Sequence, residues 1–488
     1  MNKLLILLIF IILTVFVSCN KNEAAADNDK NETEPTDNTV TEEIKNPLPD
    51  LDFKGETLNL LIRGDVTLKE EFYAEEENGD LFNDVIFRRN KTVEERLNMN
   101  LNVILGNMWD TWLGDMHNTI RNSIFAGDNA YDIIADWGLG ASVLAVQGVY
   151  LDIYRLPYLN LANPWWNKSM PVEGEIAGKL FYVAGDITTT NITSAYVYFF
   201  NKKIQQNYDI PDLYQLVIDG KWTNDYMVRL VSEITSDLNG DGILDENDLY
   251  GIAMDTLNSV DPFLHSSNIR MFSRDESGLP VLNLEYEKLS SLINKLYSLL
   301  FENAGCYTID VSKIGLYEAN MFKNNQVFLI GRPLNASYTS FRDMDTDYGI
   351  LPPPKYDEKQ AEYYTRSFSD VGTFMCVAIS TGKTELAGAF LESAAFENHY
   401  NVVPVLYETA LKVKFTRDDM SAKMLDIIRE GIYFNFASIY NMNIGNPWWV
   451  LRDLLTAKNN NFASWYESNE IKIQTSLDKM VETIENMQ

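Results

Sequence analysis

Hydrophobic positions along the chain switch repeatedly between short apolar runs and a helical period. Residues 58–62 form a short apolar run that stops at Arg63, Gly64 and Asp65, the pattern of a buried strand. Over 84–97 the apolar residues Val85, Ile86, Val93 and Leu97 recur at helical spacing with charges between them, which predicts an amphipathic helix. Residues 101–105 alternate like a strand, 115–126 read as a helix, and the run 131–138 predicts a buried strand halted by Asp136, Trp137 and Gly138. A helix over 141–150 and a short strand over 151–153 follow. Strands alternating with helices imply a parallel α/β sheet, whose ligand sites lie beyond the carboxyl ends of the strands.

The pattern resumes after Asp186. An aromatic-rich strand covers 194–200, and Thr223 caps a helix running to about Ile234. Strands are expected over 249–253, 326–330, 348–351 and 374–379, and helices over 286–301, 313–323 and 385–395. Pro352 to Pro354 end the 348–351 strand, because proline supplies no amide to a ladder. From Asp418 onward the chain reads as mostly helical.

The two ends of the first fifty residues differ from everything after them. Met1, Asn2 and Lys3 precede an apolar run over 4–17, then Ser18 and Cys19, which is the layout of an export signal. That run is short for a spanning helix, which needs about twenty apolar residues. Phe16-Val17-Ser18-Cys19 resembles the bacterial lipobox, with Phe16 in place of the usual Leu, so Cys19 is the expected lipidation site. Residues 20–50 are Asn, Glu, Asp, Thr and Ala with scarcely an apolar side chain, a disordered acidic tether. More than one acyl chain on such a leash holds a protein stably at a membrane.

At 488 residues the chain is long for one domain, and two lobes are the natural expectation. A hydrophobic fraction of 46% supplies globular cores, and a net charge of −30 argues against nucleic acid. Cys306 and Cys376 read as buried thiols rather than a disulfide, and no Cys/His cluster suggests zinc.

One local motif is sharp. Asp237, Asn239 and Asp241 occupy positions 1, 3 and 5 of an EF-hand-like loop, with Gly240 and Gly242 between and after them. Ile243 would offer its carbonyl at position 7, Asp245 stands at position 9, and Asp248 takes position 12 where sensor loops carry Glu. A single structural calcium ion is the expectation, since the residues after the loop read as a strand and not as a second helix.

Aromatic residues are plentiful, with nine Trp and twenty-six Tyr. Flat aromatic faces beside carboxylates and amides suit carbohydrate, although most aromatics fill cores. Trp137, at a strand end followed by glycine, is the one placed to face a cleft. The tetrad Asn163-Pro164-Trp165-Trp166 recurs at Asn446-Pro447-Trp448-Trp449 without flanking similarity, and is read as coincidence. His117, His265 and His399 sit among unlike neighbours, and neither a zinc-protease nor a serine-hydrolase motif occurs, so nothing points to an enzyme or an organic cofactor.

Taken in order, several segments resemble the extracellular solute-binding proteins (family 1) of ABC importers, the maltose-binding-like lipoproteins. They are Gly79-Asp80-Leu81-Phe82-Asn83-Asp84, Tyr131-Asp132-Ile133-Ile134, Leu151-Asp152-Ile153 with the first Asn-Pro-Trp-Trp, and Gly178-Lys179-Leu180-Phe181 with Gly185-Asp186-Ile187. Phe200-Asn201-Lys202-Lys203, Lys221-Trp222-Thr223, the calcium-like loop before Tyr250-Gly251, and Tyr348-Gly349-Ile350-Leu351-Pro352 with Pro354-Lys355-Tyr356 continue the series. The resemblance implies an α/β, two-lobed periplasmic-binding-protein-like fold of the type II, maltose-binding-like kind. Hinge crossovers are expected near 191–195 and 368–377. The implied lobes are 51–192 with 368–415, and 193–367 with 416–488, after a signal peptide over 1–19. The implied function is capture of a carbohydrate, most naturally an oligosaccharide, by a monomeric lipid-anchored protein at the extracellular face of the cell membrane that delivers it to ABC permease subunits. The implied ligand contacts are Asp136, Trp137, Asp186, Asn191, Arg332 and Asp370, with Trp137 stacking and the others hydrogen-bonding hydroxyls. A secreted glycan-active hydrolase and a surface sugar sensor or adhesion module are the alternatives.

Overall fold

A computed structural model describes residues 45–64, 69–107, 114–314, 316–367, 372–412 and 419–487. Cys19 and Asp370 lie outside the described residues. The folded unit begins at Asn46, five residues before the expected start of lobe 1 at 51. Asn46 donates to Ser393 and Leu48 is buried, so the last residues of that stretch belong to the first lobe.

The strands in chain order are β1 (Glu56–Arg63), β2 (Met99–Gly106), β3 (Ile133–Trp137), β4 (Tyr196–Asn201), β5 (Thr235–Ser236), β6 (Leu249–Met254), β7 (Phe272–Arg274), β8 (Pro280–Leu282), β9 (Cys306–Thr308), β10 (Val327–Pro333), β11 (Tyr348–Leu351) and β12 (Thr373–Val377). Lobe 1 holds the sheet β12-β3-β1-β2, in which β1, β2 and β3 are parallel and β12 returns antiparallel to β3. Lobe 2 holds the sheet β11-β4-β10-β6-β5 with β9 beside β6, and β4 runs against both of its neighbours.

Alternation along each strand decides which helices cover which face. In lobe 1, Leu58, Leu60 and Ile62 face the helices Leu81–Leu97 and Thr384–Glu397. Leu61, Ile134 and Cys376 face the other way, toward Asp115–Ala126 and Gly138–Val146. In lobe 2, Tyr196, Tyr198 and Phe200 point to a core shared with Tyr286–Phe301, while Val197 and Phe199 join the opposite core. Cys306 and Cys376 are buried thiols in different sheets, as expected for unpaired cysteines.

Two expectations need correction. Residues 151–153 form no strand; Tyr150 makes one isolated bridge to Ala378, and Ile153–Arg155 is a turn of 3-10 helix capped by the Asp152 carboxylate. That side chain reaches the Tyr154 amide, a local bond that competes with sheet pairing. The C-terminal segment, assigned whole to lobe 2, divides between the lobes. Phe436, Ile439, Tyr440, Leu477 and Met480 pack in lobe 1, whereas Val450, Leu451, Leu454 and Phe462 pack in lobe 2.

The chain therefore passes between the lobes around 195, 365–367 and 431–434. The three crossings lie side by side: Ala195 bridges Ser367, and Thr365 bridges Ile432. The amide of Tyr196 donates to the Arg366 carbonyl at 2.9 Å, and that of Thr365 donates to the Gly431 carbonyl at 2.7 Å. Backbone hydrogen bonds thus tie the three crossing segments to one another.

Candidate functional site

Beta-sheet edges where strands end carry unsatisfied polarity, and both lobes turn such edges toward the hinge. In lobe 1 the edge is made by Arg63, Asp136, Trp137 and Thr373. Asp136 is fully buried, and its carboxylate is enclosed by donors. His117 Nε2 stands 3.0 and 3.1 Å from its two oxygens, the Trp137 amide donates at 2.8 Å, and the Tyr150 hydroxyl donates at 3.1 Å. A carboxylate with so many partners has little capacity left for a ligand hydroxyl, so Asp136 holds its neighbours in place. Burial works against a charged imidazole at His117, and the Asp136 carboxylate more than offsets it, holding the pKa above its ordinary value.

Trp137 is half-buried at the start of the helix Gly138–Val146, and its Nε1 lies 3.1 Å from His117 Nε2. Gly140 is required beneath it: a Cβ there would stand 1.9 Å from the indole nitrogen and 2.3 Å from His117 Nε2. The indole is thus laid over the first turn of the helix by a carboxylate, an imidazole and a glycine.

Behind this edge Glu71 is buried, and its carboxylate accepts from the Thr190 amide and hydroxyl at 2.7 and 2.8 Å and from Thr373 at 2.9 Å. Burial raises its pKa, opposed by those donors and by Arg63. Arg63 reaches Thr373 Oγ1 at 2.6 Å. Asn191 is buried in the hinge itself, donating to the Thr373 carbonyl at 2.8 Å and accepting from Ser367 and from the Thr373 amide.

In lobe 2, Asp261, in the turn before the short helix Pro262–Ser266, is also fully buried, with Arg366 at 3.2 Å and Arg452 at 2.7 Å on one of its oxygens. Arg332 ends β10 and is paired with Glu318. Asp186 lies beside the first crossing, 2.5 Å from His399 Nδ1 and 2.7 Å from Arg429. A cavity of about 610 Å³ opens alongside the hinge, lined among others by Trp166, Asp186, Asn191, Tyr364, Arg429 and Tyr433.

The six expected ligand contacts are therefore not one cluster. Asp186 and Asn191 share the hinge cavity, Asp136 and Trp137 share the lobe 1 edge, and Arg332 belongs to lobe 2. Asp370 falls outside the described residues. His117, Glu71, Arg429 and Tyr364 carry no motif. Their roles come from contacts between segments far apart in the chain.

The loop 237–248 forms a chain of side-chain-to-amide turns. Asp237 accepts from the Gly240 and Gly242 amides at 2.6 and 2.8 Å, which lowers its pKa, and both glycines have positive φ. Asn239 accepts from Asp241, Asp241 from Ile243, Asp245 from Asn247, and buried Asp248 from Leu238 and Asp245. The donor set is oxygen alone, which suits a hard cation. Among the described residues no three or more His, Cys, Asp or Glu side chains converge as ready metal ligands. Strand β6 follows the loop directly, so no second helix completes an EF-hand.

No family model and no curated protein sequence matches the chain. Solved structures do. The galacto-N-biose-/lacto-N-biose I-binding protein of the ABC transporter from Bifidobacterium longum superposes with a TM-score of 0.56 at 12% identity, over 89% of this chain and 97% of that one. The GacH receptor of Streptomyces glaucescens, solved unliganded and with acarbose, gives 0.52 at 12% identity over 89% and 100%. An ABC substrate-binding protein from Listeria monocytogenes in complex with cycloalternan gives 0.51 at 12% identity over 88% and 99%. The chain has the two-lobed, maltose-binding-like α/β fold of the sugar-binding proteins of ABC transporters.

Proposed function

We propose that this protein binds a carbohydrate between its lobes and hands it to the permease of an ABC importer. The observation that carries the reading is the set of three bonded segments joining two sheets, with a polar cavity beside them, in a fold shared with proteins solved around sugars. Hinge closure over a ligand is the natural motion of such a frame. In this reading Trp137 offers an aromatic face from lobe 1, Asp186 meets hydroxyls beside the hinge, Asn191, with its donors and acceptor already taken, holds the hinge together, and Arg332 and Asp370 add polar contacts. An oligosaccharide is the expected cargo, bound by a monomer that carries out no chemistry on it. Cys19, once lipidated, anchors the chain at the extracellular face of the membrane, and the acidic stretch after it acts as the tether. The 237–248 loop takes one calcium ion as a structural brace.

A thermal-shift screen of the mature protein against mono- and oligosaccharides tests the reading. Binding to the folded state raises Tm with the logarithm of ligand concentration over Kd. One sugar class shifting Tm in proportion to dose is the expected outcome. Silence across the glycan panel, with a peptide or other solute shifting Tm, would overturn it.

A further inference from the structure

One nitrogen in the lobe 1 edge has two claimants. His117 Nε2 lies 3.0 and 3.1 Å from the Asp136 oxygens, which can only accept, and 3.1 Å from Trp137 Nε1, which can only donate. A ring nitrogen carrying a proton donates to the carboxylate and has nothing to offer an indole N–H. The same nitrogen without its proton accepts from the indole and turns a lone pair toward the carboxylate. Both contacts cannot be good hydrogen bonds in one protonation state.

The surroundings make that choice matter. Gly140 leaves no slack, since even a methyl group would collide with both rings. The charged and titratable groups around His117, among the described residues, are Asp136 on β3, Arg63 on β1 and the Tyr150 hydroxyl, which is bound to the second Asp136 oxygen, with Cys376 of β12 behind it. Arg63 opposes a positive imidazole and Asp136 favours it.

We propose that His117 is the positioning residue for Trp137: its Nε2 engages either Asp136 or the indole, so the pose of the ring, and with it affinity for the carbohydrate, follows the protonation of His117. Protonated His117 commits to Asp136 and turns the indole N–H toward the ligand; neutral His117 draws it back when its remaining proton sits on Nδ1 and leaves Nε2 as an acceptor. This rests on the carbohydrate reading for the affinity, but not for the ring pose.

The test is a pH series by fluorine NMR on the mature protein labelled with 5-fluorotryptophan, the Trp137 resonance being assigned by its loss in Trp137→Phe. Without any ligand, that resonance should move with pH through a midpoint above 6.5, His117→Gln should abolish the movement, and Asp136→Asn should lower the midpoint. With the best carbohydrate, Kd should be at least threefold tighter on the acid side of the midpoint, and the difference should vanish in His117→Gln. A Trp137 resonance that ignores pH, or moves equally in His117→Gln, overturns the proposal. Should His117→Gln fold poorly, Asp136→Asn alone decides, because an unshifted midpoint there contradicts the coupling. A pH-dependent ring with no carbohydrate bound would retain the positioning role and reject only the cargo.

Discussion

Asp136, within β3, and Asp261, in the turn before the short helix Pro262–Ser266, are both fully buried, yet they are neutralised by opposite means. Asp261 is gripped by two arginines, Arg366 from the second crossing and Arg452 from the C-terminal segment. Those cations keep their charge at any working pH. Asp136 is held by one histidine, a tyrosine hydroxyl and a backbone amide, of which the histidine alone gains and loses charge near neutrality. Lobe 2 thus meets the hinge with a fixed ionic clamp, and lobe 1 with an edge that can respond.

The contrast can be broken most severely at the clamp. Asp261→Ala leaves two arginines without their carboxylate, and a loss of about 3–5 kcal/mol is expected in denaturant unfolding. The loss should be nearly the same at pH 5.5 and 8.5. Asp136→Ala should cost less, about 1–3 kcal/mol, since its partners are mainly neutral donors and one weak base. That cost should vary with pH, and equal costs at both pH values would erase the distinction between the two lobes.

The sign of the variation follows from His117. Its pKa is raised in the folded protein, so the stabilisation from its pairing with Asp136 is complete below about 6.5, the ordinary value for histidine. It fades as pH climbs through the raised folded value. Stability of the native protein minus that of His117→Gln should therefore fall from acid to alkaline pH. A difference that grows with pH would contradict the assignment. The smallest effect is expected at the 237–248 loop, whose turns already hold themselves through amide bonds. Calcium should raise Tm by a few degrees at saturation, and Asp237→Ala should remove the increment. An unchanged Tm in chelator would leave the loop a self-supported turn.

Much of the fold is legible in the chain because local pattern and final environment agree. The helix predicted over 115–126 is Asp115–Ala126, and that over 286–301 is Tyr286–Phe301, each bounded as its periodicity suggests. Thr223 caps its helix through the Tyr226 amide. The strand wrongly read at 151–153 shows the limit: an apolar-polar-apolar triplet suits a strand until Asp152 turns its side chain back on the chain. The third crossing was hidden for another reason. Gly431 to Phe434 belongs to no strand, and its pairing with Thr365 joins segments more than sixty residues apart. The site was less legible than the fold. Strand ends marked Asp136 and Trp137, but His117 lies on an ordinary amphipathic helix, and nothing near it in sequence announces the carboxylate across the sheet.

Calorimetric titration of the mature protein with the strongest carbohydrate from the screen, run beside small-angle X-ray scattering of the free and saturated forms, tests the central claim most directly. Saturable one-to-one binding with a smaller radius of gyration in the saturated form is the predicted result, the lobes closing about the three bonded crossing segments. Saturable binding with an unchanged radius, or no binding by any carbohydrate, would contradict the account.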